Sequence, residues 1–358
     1  MATVVLAGGG TAGHIEPALA VARQWMSNHK NDRCIFLGTS KGLENTLVPA
    51  AGFSIHLIPK VSVSRKPSIS WLRTPFDLLA SVVSSMKVLR KADLLIGFGG
   101  YVSAPAYLAA RVTRTPIVIH EANVKPGWAN RLGSIFTKYL AVAQPVDSGR
   151  FSGALIAGLP LRSDVVAAFL ASSADWESAR RAAKSRMGFP ADKPLVFLMG
   201  GSQGSIAINA VVAQSLSTFE ELEISVLHSV GKANLLPQPV GTYRPMAYVE
   251  AMADAYLGAD LIIARSGAVT CSEVRALGRY ALFIPLPIGN GEQFVNATSL
   301  VNSGRAQSIV QSQFTQDFIK AQITDLLQSA SLSPMQGDDQ DLYAAEKIVS
   351  LAEFAIDR

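Results

Sequence analysis

The chain has 358 residues, of which 49% are hydrophobic and only 16% are charged, with a net charge of +5. This length is comfortable for two α/β domains, and the apolar content is enough for a core in each. The positive balance favours anionic partners such as nucleotides, nucleic acid or an anionic membrane surface, without choosing among them. The first residues have no basic start and run directly into glycines, so we expect no signal peptide. We also expect no membrane span, since the longest charge-free run is broken by glycine and proline.

The cysteines and histidines suggest neither a disulfide framework nor a metal site. Cys34 and Cys271 lie far apart in apolar segments, which suits a reducing compartment. The five histidines show no spacing typical of metal ligands.

Short apolar segments alternate with helical patterns up to Pro160, which predicts a parallel sheet covered by helices on both faces. Thr3–Ala7 predicts a buried first strand, followed by a glycine-rich turn and a helix from about Ile15 to Ser27. The other predicted strands of this half are Cys34–Leu37, Ile55–Ile58, Leu94–Ile96, Ile117–Ile119 and Tyr139–Val142.

A second unit of the same type is predicted after Gly158–Pro160. A polar helix, Trp176–Met187, leads to the apolar strand Leu195–Met199 and to another glycine-rich turn. The two segments in which a strand is followed by a glycine-rich turn and a helix predict two Rossmann-like α/β domains, 1–162 and 163–341. We expect the domains to face each other across a cleft beyond the carboxyl ends of their strands. The later strands of the second domain are predicted at Leu261–Ala264 and Ala281–Ile284.

The C-terminal region predicts a linker and a final helix. Ser331–Asp341 is polar and contains proline and glycine, as linkers do. Leu342–Phe354 has an amphipathic pattern, and we expect the segment 342–358 to pack back on the first domain.

The first glycine turn suggests a phosphate site. Gly8, Gly10 and Gly13 follow a strand and open a helix, where backbone N–H groups and the helix dipole favour phosphate. A dinucleotide site would need an acidic residue after the second strand, and the segment 36–40 has none, which disfavours nicotinamide. A purely structural turn is the other alternative. The same turn carries His14 at the start of the helix, where its side chain is expected to face the cleft. The alternative is a histidine that only hydrogen-bonds locally at the helix start.

Two further helix starts are predicted in the second domain. The second glycine turn, Gly200–Gly204, predicts Ser202 and Gln203 at one of these helix N-termini. The other begins at Arg265–Thr270, with Glu273 about one turn later. A helix N-terminus suits a diphosphate, and a carboxylate one turn further on suits a ribose diol. Glu273 as an ordinary first-turn acid, stabilised by the helix dipole, is the alternative.

We expect neither a metal nor an organic cofactor. The D-x-D pattern of Asp339–Asp341 lies in the predicted linker, so we interpret it as solvated acid. Arg162, directly after Gly158–Pro160, is a better partner for phosphate, or else an interdomain hydrogen-bond donor.

Six segments, in this order along nearly the whole chain, give a more specific signal than any single glycine loop. They are Gly9–Ala20, Gly99–Ser103, His120–Asn123, Gly200–Gly204, Arg265–Ala268 and Gln293–Ala297. Together they resemble the MurG family, the UDP-N-acetylglucosamine–N-acetylmuramyl-(pentapeptide) pyrophosphoryl-undecaprenol N-acetylglucosaminyltransferases.

The resemblance implies an inverting transferase of the GT-B type, with two Rossmann-like domains. It implies that domain 163–341 holds most of UDP-N-acetylglucosamine and that domain 1–162 faces the acceptor and the membrane. Uracil is then expected at the backbone near Val249, the ribose at Glu273, the diphosphate at the Ser266–Thr270 helix start, and the sugar hydroxyls at Gln293 and Asn123. The positions that match the donor site of the family are Thr11, Ala12, Gly13, Asn123, Arg162, Ser202, Val249, Ala268, Val269, Thr270, Glu273 and Gln293.

Several positions depart from the usual family pattern. Ala12 replaces a glycine, Ala122 a glutamine and Leu159 an asparagine. Arg279–Tyr280 stands where Leu-Pro is usual, and Glu292 where a neutral polar residue or histidine is common. These departures affect the expected acceptor contacts more than the expected reaction.

The implied reaction belongs to peptidoglycan synthesis. It joins C1 of N-acetylglucosamine to the 4-hydroxyl of undecaprenyl-diphosphoryl-N-acetylmuramyl-pentapeptide, with release of UDP and a β-linkage. A base must take the hydroxyl proton, and positive electrostatics must stabilise the leaving diphosphate. His14, whose imidazole titrates near working pH, and Glu121 are the two candidates for the base, and the sequence does not decide between them.

Three other functions are consistent with parts of the sequence. They are a GT-B transferase with another acceptor, a nicotinamide-dependent oxidoreductase, and a nucleotide-sugar-binding protein without catalysis. No nucleic-acid partner is expected.

The segment from Lys60 to Lys91 combines positive charge with apolar residues. Seven basic residues oppose the single acid Asp77: Lys60, Arg65, Lys66, Arg73, Lys87, Arg90 and Lys91. Thr74 and Pro75 predict a helix start. Phe76, Leu79, Val83 and Met86 then form one apolar stripe, with Leu78, Val82 and Leu89 beside it. The segment is therefore either additional core or a surface that binds peripherally to the anionic cytoplasmic face of the plasma membrane.

Overall fold

The computed structural model describes residues 1–61, 74–287, 291–333 and 336–357. The chain divides into two compact units, Met1–Arg162 with Asp341–Arg358, and Ser163–Gln340. Each unit is a Rossmann-like α/β fold around one parallel sheet. The predicted fold class is confirmed in this respect.

Within the described residues the N-terminal unit has a seven-stranded parallel sheet in the order β3-β2-β1-β4-β5-β6-β7. Its strands are β1 (Thr3–Gly8), β2 (Arg33–Gly38), β3 (Ser54–Leu57), β4 (Leu94–Gly99), β5 (Ile117–Glu121), β6 (Tyr139–Val142) and β7 (Leu155–Ile156). The strand order reverses between β1 and β4, so the turns after these two strands border a crevice.

Helices cover both faces of this sheet. They are α1 (Ala12–Asn28), α2 (Glu44–Ala50), α3 (Thr74–Leu89), α4 (Ser103–Thr113) and α5 (Trp128–Gly133). Successive side chains of a strand point to opposite faces. Val4 and Leu6 of β1 therefore pack into one apolar cluster with α1, whereas Val5 and Ala7 pack into another with α4.

The C-terminal unit repeats this architecture in its described residues, with a six-stranded parallel sheet in the order β10-β9-β8-β11-β12-β13. The strands are β8 (Leu195–Met199), β9 (Ser225–Ser229), β10 (Tyr243–Met246), β11 (Leu261–Ala264), β12 (Ala281–Phe283) and β13 (Ala306–Ser308). The helices are α6 (Ser163–Ala174), α7 (Trp176–Arg186), α8 (Ile206–Gln214), α9 (Leu216–Glu221), α10 (Met252–Gly258), α11 (Ala268–Ala276), α12 (Glu292–Asn296), α13 (Thr298–Asn302) and α14 (Gln316–Leu332). Here the reversal lies between β8 and β11.

The last helix, α15 (Ala344–Asp357), belongs to the N-terminal unit and packs against α1. Ile348, Val349 and Ala352 of α15 are fully buried in the same cluster as Val4 and Leu6.

Asp341 corrects the interpretation of the D-x-D pattern as solvated acid. Asp339 is exposed, but Asp341 is only 1% exposed, and its Oδ1 accepts a hydrogen bond of 2.9 Å from the backbone N–H of Leu159. The chain re-enters the N-terminal unit at Asp341, so burial there is compensated by a specific donor. The sequence predicted this return from residue 342 onward, but the polar pattern could not reveal that Asp341 itself is buried.

Helix α3 presents part of its apolar surface to solvent. Phe76, Leu79 and Val83 are 74%, 62% and 49% exposed, whereas Val82 and Leu89 pack against the core. The basic residues Arg65, Lys66 and Arg73, and the apolar Trp71 and Leu72, lie outside the described residues. None of the helices in the described ranges is sufficiently long and apolar to cross a bilayer.

Candidate active site

Two glycine turns meet at the switch point of the N-terminal unit. Gly10, after β1, has φ +94°, and a Cβ there would lie 2.6 Å from Cε1 of Tyr101. Gly100, after β4, has φ +80°, and a Cβ there would lie 2.3 Å from the carbonyl oxygen of Gly9. Both positions therefore need glycine, because a side chain would strain the backbone and separate the turns.

His14 lies in the first turn of α1, half-buried against these glycines. Thr11 Oγ1 is 3.2 Å from its Nδ1, and the carbonyl oxygen of Gly9 lies on the same side, since a Cβ on Gly100 would be 2.3 Å from that oxygen and 3.3 Å from Nδ1. Burial lowers the pKa of His14, while the Gly9 carbonyl and the negative charge of Glu44 partly oppose this effect. The structure thus favours a neutral imidazole, the form that can accept a proton.

The start of α1 is also open to a ligand. Thr11 is the N-cap residue, but its side chain makes no capping hydrogen bond. Thr11 is exposed, and Ala12 and Gly13 are half-buried. Backbone N–H groups in this position suit an anionic or polar ligand atom.

Glu44, at the start of α2, is a completely buried carboxylate beside the same turn. Its Oε2 accepts a hydrogen bond of 3.0 Å from the backbone N–H of Gly10. Its Oε1 accepts from Thr39 N, Thr39 Oγ1 and the Tyr101 hydroxyl at 3.0, 3.2 and 3.1 Å. One carboxylate therefore links the turns after β1, β2 and β4.

Glu121, the last residue of β5, has both carboxylate oxygens engaged and is 3% exposed. Oε1 accepts from the backbone and side-chain nitrogens of Asn123 at 2.9 and 3.0 Å. Oε2 accepts from Gly127 N and Asn130 Nδ2, both at 2.9 Å. Burial raises the pKa of Glu121, and these four N–H donors oppose the increase. Glu121 thereby fixes the loop that presents Asn123.

In the C-terminal unit, the N-terminus of α11 has no side-chain cap. Its N-cap residue is Gly267, and the first turn contains no acid. Ala268, Val269 and Thr270 are half-buried, with backbone N–H groups that precede the first full helical hydrogen bond, from Cys271 N to Gly267 O. Such a helix start binds phosphate oxygens well.

Arg265 lies two residues before Gly267, the N-cap residue of this helix. It is 7% exposed, and its guanidinium donates to the carbonyl oxygens of Ile284 and Pro285, to Ser205 Oγ and to Gln311 Oε1. All four acceptors are neutral, so its positive charge contributes to the potential at the adjoining turn. Burial lowers its pKa below the ordinary value for arginine.

Gln293 and Ser266 join two loops at the same end of this sheet. The Ser266 hydroxyl donates to the backbone oxygen of Gln293 at 2.8 Å, and Gln293 Oε1 accepts from Leu286 N at 3.0 Å. Val249, beyond the carboxyl end of β10, is 1% exposed.

Glu273 lies in the second turn of α11 and is 2% exposed. The first turn of α11 contains no acid, so the alternative that Glu273 is an ordinary first-turn acid is wrong.

Ser202 and Gln203 lie in different surroundings from those expected, whereas Arg162 stands at the predicted boundary of the two units. Helix α8 begins at Ile206 and is capped by Ser205, so Ser202 and Gln203 lie in the preceding turn and not at the helix start. Arg162 is half-buried and is the last residue of the first segment of the N-terminal unit. Among the described residues, no group of three His, Cys, Asp or Glu side chains is placed to hold a metal ion.

The sequence interpretation missed the contributions of Glu44, Tyr101 and Arg265. Tyr101 and Arg265 stand in the segments that carry the family resemblance, but no pattern assigned them a contact. The only sequence signal for Glu44 is a glutamate among apolar residues shortly after β2, which is equally typical of a first-turn helix acid.

Comparison with known proteins gives consistent matches over most of the chain. The models of the N-terminal and C-terminal domains of glycosyltransferase family 28 match residues 4–142 and 195–351. A curated protein of Corynebacterium glutamicum, named UDP-N-acetylglucosamine–N-acetylmuramyl-(pentapeptide) pyrophosphoryl-undecaprenol N-acetylglucosamine transferase, is 43% identical over 335 residues, covering 93% of this chain and 91% of the relative. A protein of the same name from Streptomyces avermitilis is 39% identical, covering 90% of this chain and 89% of the relative.

Solved structures show the same similarity. The crystal structure of Acinetobacter baumannii MurG aligns with a TM-score of 0.69 and 28% identity, covering 99% of this chain and 100% of that one. The UDP-GlcNAc 2-epimerase of Neisseria meningitidis, at 15% identity and a TM-score of 0.59, covers 98% of this chain and 99% of its own and shares the fold.

Proposed function

The chain belongs to glycosyltransferase family 28, and we propose that it transfers N-acetylglucosamine from UDP-N-acetylglucosamine to the 4-hydroxyl of lipid-linked N-acetylmuramyl-pentapeptide. The observation that supports this best is the 43% identity to a curated transferase of that name over 93% of the chain. This reaction is the step of peptidoglycan synthesis that completes the disaccharide on the lipid carrier.

In this proposal the C-terminal unit binds the donor. The uncapped N-terminus of α11 binds the diphosphate through the N–H groups of Ala268, Val269 and Thr270. The charge of Arg265 adds to the potential there and stabilises the diphosphate as it leaves. We assign the ribose hydroxyls to Glu273 and the uracil to the backbone near Val249.

The sugar hydroxyls are assigned to Gln293 of the C-terminal unit and Asn123 of the N-terminal unit. Thr11, Ala12 and Gly13 contribute the start of α1, and Ser202 and Arg162 complete the proposed donor contacts.

We assign the general base to His14 and not to Glu121. The Gly9 carbonyl oxygen and Nδ1 of His14 face the same point at Gly100, and a carbonyl can only accept, so we assign the proton to Nδ1, which leaves Nε2 unprotonated. Both oxygens of Glu121 already accept two N–H donors each, so protonating this carboxylate would break contacts that hold its loop.

The proposed reaction is a single displacement. The acceptor 4-hydroxyl oxygen attacks C1 of N-acetylglucosamine while His14 removes its proton. The bond from C1 to the β-phosphate oxygen breaks, and its electron pair leaves with UDP. Attack from the opposite side inverts the configuration at C1 and gives the β-linkage.

The decisive experiment is transfer of labelled N-acetylglucosamine from its UDP donor to a muramyl-pentapeptide-diphosphoryl-lipid acceptor. We expect a disaccharide product and one UDP released per transfer. Tight donor binding without product would indicate a different acceptor or a binding protein, and would contradict the proposed activity.

We also propose that the chain binds peripherally to the anionic cytoplasmic surface of the plasma membrane through helix α3. The observation in favour is the exposed stripe of Phe76, Leu79 and Val83. Lys87 in the last turn of the helix and Arg90 directly after it are also exposed. Each basic residue close to an anionic surface contributes about 1 kcal/mol, and the apolar stripe adds its own burial.

Sedimentation with vesicles tests this second proposal. The variant Phe76→Ser, Leu79→Ser, Val83→Ser should lose most of its binding to phosphatidylglycerol vesicles while retaining UDP-N-acetylglucosamine affinity. Leu170→Ser with Leu332→Ser is the matched control, because both residues are exposed in the other unit. Replacing Arg65, Lys66 and Arg73 together by Glu should also weaken binding and reduce its salt sensitivity. Full sedimentation of both test variants at low salt would rule out docking through this segment.

A further inference from the structure

We infer that Glu44 is a positioning residue for the transfer reaction, because its carboxylate holds the Gly9–Gly10 peptide from the side opposite the His14 ring. This inference rests on the proposed function, in which His14 removes the acceptor proton. Glu44 lies 30 residues from His14 in the sequence and on a different helix, so only the folded unit brings the two together.

The first step is the shared peptide unit. Glu44 Oε2 accepts the N–H of Gly10 at 3.0 Å, and the Gly9 carbonyl oxygen and His14 Nδ1 face the same point of the next turn, since a Cβ on Gly100 would lie 2.3 Å from the oxygen and 3.3 Å from the nitrogen. The Gly9 oxygen and the Gly10 N–H belong to one trans peptide, so they point in opposite directions. Hydrogen bonds in series polarise one another, so a carboxylate on the N–H strengthens the carbonyl as an acceptor.

The second step is the strength of the anchor. Glu44 is completely buried, and its four donors come from three neutral residues in separate turns. The backbone N–H groups of Gly10 and Thr39 can only donate, one to each oxygen, and the Thr39 and Tyr101 hydroxyls lie within 3.2 Å of Oε1. A buried charge held this way cannot shift without breaking several hydrogen bonds, which keeps the turn at a fixed distance from the ring.

The third step is the effect on His14. The negative charge of Glu44 raises the pKa of His14, against the larger decrease from burial. Within the part of the chain that the structure describes, other ionisable groups near this site include Tyr101 on the β4 turn and Lys60, 5.9 Å from the Tyr101 ring centre. Glu121 on β5 accepts from Asn130, whose amide lies beside the His14 ring at Gly99. Removing the charge of Glu44 should therefore lower the pKa of His14.

The test compares Glu44→Gln, His14→Gln and the double variant in the transfer assay. Glu44→Gln should lower kcat by up to about 10²-fold, as small displacements of a catalytic group do. The KM for UDP-N-acetylglucosamine should change little, and the acid limb of kcat/KM should move to lower pH. Because Glu44 acts through His14, the double variant should be no slower than His14→Gln alone. The inference would be overturned if the loss of kcat in the double variant equalled the product of the losses in the two single variants. It would also be overturned if Glu44→Gln had the rate and the pH profile of the wild type.

Asp32→Asn is the matched control. Asp32 also accepts hydrogen bonds from a backbone N–H, that of Ala2, and from a side chain, Trp25 Nε1. It lies at the amino-terminal end of the strands of the same sheet, opposite to Glu44. This variant should lower the melting temperature and leave the pH profile unchanged. If Glu44→Gln fails to fold, Glu44→Asp replaces it. Aspartate retains the charge, but its shorter side chain moves the carboxylate oxygens away from the N–H of Gly10. In that variant kcat should fall with little change in the acid limb, and a wild-type kcat would contradict the inference.

A titration of His14 by NMR separates this inference from the proposed function, because it needs no turnover. The pKa of His14 should be lower in Glu44→Gln than in the wild type. If the wild type transfers no sugar but this decrease is seen, the proposed reaction fails and the coupling stands. An unchanged pKa would refute the coupling whatever the activity.

Discussion

Replacing Glu121 by Gln distinguishes a scaffold from a general base. The carboxylate accepts two N–H donors on each oxygen, from Asn123, Gly127 and Asn130. A glutamine retains one oxygen and places an NH₂ group where the other was. The two N–H groups that donate to that oxygen in the wild type would then face another donor and lose their hydrogen bonds. Hydrogen bonds to a charged group contribute about 1.5–3 kcal/mol each, so the loss of two should destabilise the N-terminal unit by about 3–6 kcal/mol.

This change is large compared with the stability of a typical domain, about 5–15 kcal/mol. Because the chain has two units, unfolding must be followed in one of them. A Trp176→Phe background removes the tryptophan of the C-terminal unit and leaves those of the N-terminal unit to report urea unfolding. His14→Gln in the same background is the control. It removes no buried charge, so it should lower kcat while changing the unfolding free energy far less.

The opposite pattern would refute the scaffold assignment. If Glu121→Gln unfolded within about 1 kcal/mol of the wild type but lost 10²–10⁴ in kcat, Glu121 would be the base.

Four further predictions concern the base, the donor, metal ions and acid stability. His14→Gln should lower kcat by about 10²–10⁴ with unchanged donor affinity by calorimetry. Since burial lowers the pKa of His14, wild-type activity should be lost only below the ordinary imidazole range of about 6.5, and an acid limb above that range would contradict this. Glu273→Ala should weaken UDP-N-acetylglucosamine binding by about 1–3 kcal/mol, and equal affinities would remove the ribose role. Turnover should persist in EDTA, because helix N-termini take the place of a cation, and a complete loss restored by Mg²⁺ would show otherwise. Burial lowers the pKa of His120 and His228 to about 4. Between about pH 6.5 and pH 4 the unfolded state therefore binds more protons than the folded state, so the free energy of unfolding should fall as the pH decreases. In urea titrations, His228→Gln should make this fall shallower.

The sequence alone determined the fold class and most of the strands. The apolar segments of Thr3–Ala7, Tyr139–Val142 and Leu195–Met199 have no other stable environment than the interior of a parallel sheet. The strands β7, β9, β10 and β13 escaped prediction. Ser225–Ser229 contains serines and His228, whose ring is accommodated by Tyr243 and Asn209, and Ala306–Ser308 is too short for a pattern.

The same sequence predicted candidate residues for the site but not the residues that hold them in place. Glycine turns and a helix histidine are local signals, so the amino-acid pattern alone is enough to select Gly10 and His14. Only the tertiary structure decided that Glu44 is buried against the Gly10 turn, that Asp341 returns to the N-terminal unit, and that Glu121 is saturated by its own loop. The physical reason is that the role of a carboxylate depends on the donors that surround it. Those donors come from turns far apart in the chain, which are brought together only when the strands assemble into a sheet.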